Sequence, residues 1–399
     1  MSRAVRAIVV AALAVLWIAC AVALWRSSTV PGNLHLPSVD VRSLFTPAEL
    51  ARTARFERFL RIEFVLSQLA LIGALVFWAW RGPGYMRESA AGRIGTGMLL
   101  GMLGLAVAWI SQLPFTVAEV WWERRYGLLR TGYLDAIFGD WWGLGGEFLA
   151  ISLTLLIVMG LAGWLPRYWW IPAAPVFVAI AAFFVFVFPY GSDTHKLRDP
   201  QIAADARRLA RAEGLGKIPV EVEDVSSETS APNAEAVGLG PSRRVILWDT
   251  LLDFPRDEIR VVLAHEFGHL KRNHLLKALA WYTLFAFPGA YLIAVFTRRR
   301  GGMRAPEAVP LSLLVVTVLG LIALPAQSAI SRHTEAEADW VALNTTKDPA
   351  AAERLFRRFT RVALEQPDPP GWWAFLTGNH PTIEDRIRMA RAWQQLHQR

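Results

Sequence analysis

Residues 308–339 read AVPLSLLVVTVLGLIALPAQSAISRHTEAEAD, an apolar stretch that passes directly into an acidic one. The part over 308–330 has no charged side chain and has the length, about 20 residues, that a helix needs to cross a bilayer. Glu335, Glu337 and Asp339 follow soon after it. The stretch therefore predicts a membrane-spanning helix over 308–330, followed by a polar segment that carries carboxylates.

Further apolar stretches of the same kind predict a polytopic membrane protein. Hydrophobic residues make up 54% of the 399 residues and charged residues only 19%, whereas a soluble domain carries about 25% charged residues. This composition excludes a disordered or fibrous protein. We expect a mainly α fold with seven transmembrane helices. The predicted spans are 7–25, 62–80, 96–118, 147–165, 169–189, 278–297 and 308–330.

The net charge of +8 arises largely from basic residues that flank these spans, so it does not indicate a nucleic-acid partner. Arg81, Arg167 and Arg298 to Arg300 lie beside apolar stretches, where basic side chains contact lipid headgroups. The single cysteine, Cys20, excludes both an intrachain disulfide and a cysteine-rich zinc site.

Two polar segments, 190–276 and 331–399, are each too polar to cross the membrane. We expect them to form one zinc-binding domain, interrupted by the last two spans over 277–330 and preceded by five spans over 1–189. Hydrophobic patterns and turn residues predict the elements within them. These are helices over 199–213, 255–275, 331–345, 350–365 and 383–397, a strand over 219–225, and a hairpin of 234–239 with 244–248.

His265-Glu266-Phe267-Gly268-His269 is an H-E-x-x-H motif on the helix predicted over 255–275. Residues i and i+4 share a helical face, so both imidazoles can bind one Zn²⁺ ion. Glu266 lies beside them and can take a proton from the attacking water. The alternative is a surface helix with two solvated histidines, but the apolar run Val261–Leu263 argues against it. The motif predicts one zinc ion per chain and a hydrolytic reaction.

A hydrolytic zinc site needs a third protein ligand and an open fourth position. Glu307 is the first carboxylate after His269, and the predicted topology places it on the opposite side of the membrane. The predicted span over 308–330 then brings the chain back to the side of His269, where the next carboxylates follow. Glu335 and Asp339 share a helical face, while Glu337 points away. We therefore expect Glu335 to bind the metal and Asp339 to orient a ligand histidine, with a solvated acidic face as the alternative.

Two other histidines lie near these motifs. A third-histidine zinc pattern would need glycine at position 272 and histidine at 275, but the chain has Arg272 and Leu275. His333 precedes Glu335 by two residues and faces elsewhere. We expect neither His274 nor His333 to bind the metal.

The two motifs and the order of the spans resemble the type I CAAX prenyl endopeptidases, which are integral-membrane zinc proteases. The resemblance extends over nearly the whole chain. It implies seven helices around an intramembrane chamber, a zincin-like α+β zinc domain that faces it, and a peptide or protein substrate. Supporting matches are Leu113-Pro114-Phe115, Glu123–Gly127, Arg244–Leu251, and Asn379-His380-Pro381 with Arg386.

The resemblance also implies roles for residues outside the zinc motifs. His380 would help to stabilise the oxyanion, and Arg386 would hold the substrate backbone. From the residues alone, a capping loop with a surface ion pair to Glu384 or Asp385 fits as well. The Asn233-Ala234 segment would form an edge strand on which an extended substrate lies.

The substrate class stays open between two interpretations. The resemblance implies cleavage of the C-terminal tripeptide from prenylated proteins. Glu235, however, stands where the family usually has an aromatic residue, and Pro232 cannot donate a ladder hydrogen bond. The alternative is a quality-control protease for membrane proteins without prenyl specificity. A non-catalytic transporter or receptor is more remote, because few ionisable residues lie inside the spans.

The location is predicted only in part. The bias towards arginine and alanine hints at a bacterial cell membrane. Arginine-rich short segments on the N-terminal side favour a zinc domain outside the cytoplasm. The family resemblance favours the cytoplasmic side, as do four basic residues beside the zinc domain: Lys271, Arg272, Lys277 and Arg332. The first span could also be a cleaved signal peptide, and the oligomeric state has no signal in the sequence.

Overall fold

The computed structural model describes residues 3–85, 91–138, 141–187, 191 and 193–398. Within them the fold is mainly helical with one small sheet, as predicted. The α-helices are α1 (Arg3–Trp25), α2 (Val41–Leu44), α3 (Pro47–Tyr85), α4 (Gly92–Tyr126), α5 (Tyr133–Phe138), α6 (Trp141–Trp164), α7 (Trp170–Val187), α8 (Pro200–Ala212), α9 (Arg256–Lys271), α10 (His274–Thr297), α11 (Val309–Thr346), α12 (Pro349–Val362), α13 (Gly371–Thr377) and α14 (Ile383–His397). The strands are β1 (His195–Lys196), β2 (Val220–Glu223), β3 (Ala234–Val237) and β4 (Arg244–Trp248).

The seven predicted spans coincide with seven apolar helices, α1, α3, α4, α6, α7, α10 and α11. In the described part of the chain, 6 of them are long and apolar enough to cross a membrane. The remaining helix, α7, is shorter, and the end predicted for its span at residue 189 lies outside the described residues. Many of their apolar side chains are exposed, as expected for surfaces that face lipid. The prediction of a multi-pass membrane protein is confirmed.

The helix that crosses the membrane last does not end where the apolar residues end. Separate elements were expected over 308–330 and 331–345, but α11 is one helix from Val309 to Thr346. There is no glycine or proline at the junction of Ile330 and Ser331, so the sequence does not interrupt the helix at that point. The acidic residues that follow the span are therefore held in a fixed helical register with it.

The sheet has the strand order β1-β2-β4-β3, with β2 and β4 parallel and the other pairs antiparallel. The predicted hairpin is present as β3 and β4, joined through a 3-10 turn over Gly240–Ser242. Gly238 precedes this turn with a φ of +81°, and a Cβ there would lie 2.3 Å from the Ser242 carbonyl oxygen. Only glycine fits both the backbone angle and the space. The turn leaves β3 at the edge of the sheet.

One hydrophobic core joins the two polar segments of the chain. Ile259 and Leu263 from the first segment and Leu343, Leu355 and Ile387 from the second belong to the same buried cluster. The helices α9 and α11 pack closely along each other within it. The long membrane hairpin of α10 and α11 therefore separates the two segments in sequence but not in space.

Candidate metal centre

Helix α9 carries the H-E-x-x-H residues on a nearly fully buried stretch. Glu258, in its first turn, forms a two-pronged ion pair with Arg358 of α12, at 2.6 and 3.0 Å. The predicted helix over 255–275 is wrong at its C-terminal end, because α9 stops at Lys271. Asn273 takes the left-handed conformation, with φ 54°. Asparagine tolerates this conformation better than most residues, and it starts α10 in a new direction.

The structure brings together His265, His269 and Glu335, whose potential ligand atoms lie within 4.8 Å of one another. The Nε2 atom of His265 is 3.0 Å from Nε2 of His269 and 3.1 Å from Oε2 of Glu335. Nε2 of His269 is 3.5 Å from Oε1 of Glu335. Tetrahedral zinc places its nitrogen and oxygen ligands about 3.3 Å apart. The three donors therefore fit one zinc ion, and their types are those of a hydrolytic zinc site.

The hydrogen bonds around His265 leave its Nε2 free to bind a metal. Nδ1 lies 2.9 Å from Oδ1 of Asp339, an ionised acceptor, so Nδ1 carries the proton. Nε2 then faces the carboxylate of Glu335, so either a proton or a metal ion must lie between the two atoms. Burial opposes protonation of His265, but hydrogen bonds to Asp339 and Glu335 raise its pKa to about 10. The pocket thus holds an excess of negative charge where a cation would bind.

Asp339 is held by Arg386 through two hydrogen bonds, Nε–Oδ2 at 2.8 Å and Nη2–Oδ1 at 2.7 Å. Both side chains are buried, and the guanidinium also lies 4.2 Å from the ring centre of Phe356. A surface ion pair of Arg386 with Glu384 or Asp385 is not what the structure shows. Arg386 instead fixes the carboxylate that orients His265.

Glu266 and most of the other predicted site residues line one cavity of about 530 Å³, but His269 and Glu335 are not among the residues that line it. Burial raises the pKa of Glu266, whose side chain lies beside the two histidines. The cavity is lined by Asn233, Ala234, His265, Glu266, His380 and Arg386, among others. Residues from β3, α9 and the start of α14 thus converge there, although they are far apart in the sequence.

His380 reaches the candidate metal centre from the loop that precedes α14. Its Nε2 lies 3.2 Å from Oε2 of Glu335, and its Nδ1 lies 3.1 Å from Oδ1 of Asn379. The side chain is 45% exposed, so it stands at the open side of the cavity. A hydrogen-bond donor at this position can reach a carbonyl group bound beside Glu335.

Strand β3 offers a backbone edge next to the same cavity. Ala234 is paired with Leu247 of β4, and the carbonyl of Asn233 accepts a hydrogen bond from the amide of Trp248 at 3.0 Å. In the described part of the chain, β3 has no partner strand on its other edge. An extended peptide can add to such an edge through main-chain hydrogen bonds.

The sequence reasoning missed a buried group behind the second histidine. His274 lies outside the three candidate ligands, but its Nδ1 is 2.9 Å from Nδ1 of His269. Glu337 points away from the candidate metal, as expected, yet it is buried against His274, Arg272 and Lys277. The signal in the sequence is that these three basic residues follow the motif with no acidic residue nearby.

Three comparisons place this geometry among known proteins. The profile of peptidase family M48 matches residues 196–394, about half of the chain. Ste24p from S. mikatae has a similar structure, with a TM-score of 0.72, 19% identity, and coverage of 92% of this chain and 94% of that one. At this identity the likeness shows the fold alone, and it confirms the predicted fold class.

The curated relatives are proteases. The uncharacterized metalloprotease YhfN of Bacillus subtilis is 29% identical over 260 residues, which is 61% of each chain. CAAX prenyl protease 1 of Saccharomyces cerevisiae is 34% identical over 105 residues, 26% of this chain and 23% of that one. The chain thus matches less than two thirds of the length of either relative. With the profile match and the shared fold, it belongs to peptidase family M48, a metallopeptidase family, as its motifs implied.

Proposed function

We propose that this protein is a membrane-embedded zinc endopeptidase that binds one zinc ion per chain through His265, His269 and Glu335. The observation that carries the proposal is the cluster of these three donors beside Glu266, at the wall of a cavity that His265 and Glu266 line and that an open strand edge borders. Family membership supports a metal ion, and the distances between the donor atoms support zinc. A zinc ion bound there supplies a Lewis acid that polarises a carbonyl and makes water more acidic.

The residues around the cavity have distinct tasks in this proposal. An extended substrate lies along β3 at Asn233-Ala234 and donates and accepts main-chain hydrogen bonds. Glu266 accepts a proton from the attacking water and passes it to the leaving amine nitrogen. His380 donates a hydrogen bond to the oxyanion that develops on the scissile carbonyl. Arg386 holds Asp339 and, from the wall of the cavity, contacts the substrate backbone.

The polar segments 190–276 and 331–399 act as one zinc domain in this proposal, interrupted by the two spans over 277–330. Their shared core supports this division. The five spans over 1–189 complete the membrane part, which contacts lipid. We propose that the protein lies in a bacterial cell membrane. A reporter fused after Arg399 would show on which side of the membrane the zinc domain lies.

We propose that the substrate is a prenylated peptide cleaved near its C-terminus. The partial match to a CAAX prenyl protease supports this class, and so does the position of the zinc domain next to membrane-spanning helices. Each apolar methylene removed from water contributes about 0.8 kcal/mol, and a tenfold rate difference requires about 1.4 kcal/mol. Burial of a small part of a farnesyl chain is therefore enough to give clear selectivity.

Matched peptides with and without a farnesyl group test this substrate class. We expect kcat/KM to be at least tenfold higher for the farnesylated peptide, with both reactions stopped by a chelator and restored by zinc. Products identified by mass spectrometry give the cleaved bond. Equal kcat/KM values for the two peptides would reject the prenyl class and favour a protease of non-prenylated membrane proteins. The charged residue Glu235 on the substrate strand, where the family usually has an aromatic residue, is consistent with that alternative.

A further inference from the structure

We infer that His274 and Glu337 form a positioning relay that fixes the orientation and tautomer of His269. This inference rests on the proposed zinc site. The chain of contacts runs from Nδ1 of His269 to Nδ1 of His274 at 2.9 Å, and from Nε2 of His274 to Oε2 of Glu337 at 3.0 Å. It matches the contact between His265 and Asp339 on the other side of the centre, but it contains one more imidazole.

The proton arrangement follows from the donors around Glu337. Its oxygens accept hydrogen bonds from Nε of Arg272 at 2.7 Å and from Nζ of Lys277 at 2.9 Å, so the side chain is an ionised acceptor. Nε2 of His274 must then donate to it. A neutral His274 has a lone pair at Nδ1, which accepts from Nδ1 of His269. This leaves Nε2 of His269 without a proton and directed towards His265 and Glu335.

The relay also extends to the loop that follows the first apolar helix. Oε1 of Glu337 accepts from the backbone amide of Thr29 at 2.8 Å and from its hydroxyl at 3.1 Å. Arg272, bound to the same oxygen, also donates to the carbonyl of Ser27 at 2.7 Å. A buried carboxylate is costly unless its oxygens are satisfied, and here both oxygens have partners. The segment around Thr29 therefore helps to hold Glu337 against His274.

The relay makes His274 a positioning residue and not a metal ligand. A neighbouring group that orients a ligand histidine typically contributes a factor of about 10 to 100 in metal affinity. A residue that only packs would change the stability of the chain without changing the zinc affinity of the folded protein. The two roles thus predict different measurements.

The experiment measures the zinc dissociation constant of the purified full chain in detergent, by competition with a chromophoric chelator. We expect His274→Phe to weaken zinc binding about 10- to 100-fold. His274→Asn retains an acceptor for Nδ1 of His269, so we expect its affinity to stay within about threefold of wild type. His333→Phe is the matched control, since His333 contacts Trp25 and not the candidate ligands. Thermal unfolding of the metal-free forms reports separately on stability.

A second variant keeps the test decisive if His274→Phe does not fold. Glu337→Gln preserves the size of the side chain but weakens its acceptor, and we expect an affinity loss of about tenfold. Wild-type affinity in folded His274→Phe, or in Glu337→Gln, would overturn the relay. If the wild-type chain itself bound no zinc, the proposed function would fail instead, so the two failures are distinguishable.

Discussion

Replacement of Glu266 by glutamine is expected to slow peptide hydrolysis severely while the bound zinc is retained. Glutamine has the same size as glutamate but cannot accept a proton from the attacking water. General-base catalysis contributes a factor of about 10² to 10⁴, so kcat should fall by about that amount. Because Glu266 is not among the three candidate ligands, the zinc content should stay at one ion per chain.

The measurement pairs initial rates on a quenched peptide with the metal content of the same sample. Glu213→Gln is the matched control, because Glu213 is also a buried glutamate but is bound to Thr345 and does not line the cavity. We expect this control to retain wild-type kcat. Full activity in Glu266→Gln would show that another group takes the proton, and the proposed mechanism would be wrong.

Replacement of Glu335 by alanine is expected to remove the zinc itself. The carboxylate supplies the third ligand and lies within 3.5 Å of both histidine Nε2 atoms. Without it, two imidazoles remain, and the negative charge that favours a cation beside them is lost. Loss of a group that only orients a ligand costs about 10- to 100-fold in affinity, so loss of a ligand should cost more than 100-fold.

Zinc per chain, measured after dialysis against a weak chelator, tests this expectation. Glu307→Ala provides the control, since Glu307 precedes the same long helix at its opposite end. We expect one zinc ion per chain in Glu307→Ala and almost none in Glu335→Ala. Stoichiometric zinc in folded Glu335→Ala would mean that another residue completes the site.

The candidate ligands were predictable from helical spacing and from the order of the membrane spans. The four-residue separation of His265 and His269 places both on one helical face, whatever surrounds the helix. Glu335 followed from counting membrane crossings, since a hairpin of two spans returns the chain to the same side. Hydrophobicity also located the spans, because a stretch of about 20 consecutive apolar residues is typical of a transmembrane helix.

Apart from Asp339, the groups behind the ligands could not be derived in this way. The contact of Arg386 with Asp339 depends on how α14 packs against α11, which no local pattern specifies. The relay through His274 depends on the break at Asn273, where the residue pattern is equally compatible with a continuing helix. Glu337 was correctly predicted to point away from the metal, but its buried partners come from α10 and from the loop around Thr29.

The continuity of α11 has a consequence for the site. Glu335 and Asp339 stand on the same continuous helix as the last span, so a rotation of the span also moves the third candidate ligand and the support of His265. Helix α9 packs against the C-terminal part of α11 in the shared hydrophobic core. The geometry of the centre thus depends on how the last span packs against the soluble core.

Titration of metal-free protein with zinc, with peptide cleavage as the readout, tests the proposed zinc endopeptidase most directly. We expect no cleavage by the metal-free chain, a linear increase in rate with added zinc, and a plateau at one zinc ion per chain. Cleavage at the full rate by metal-free protein, or a rate that does not follow zinc occupancy, would contradict catalysis at this centre.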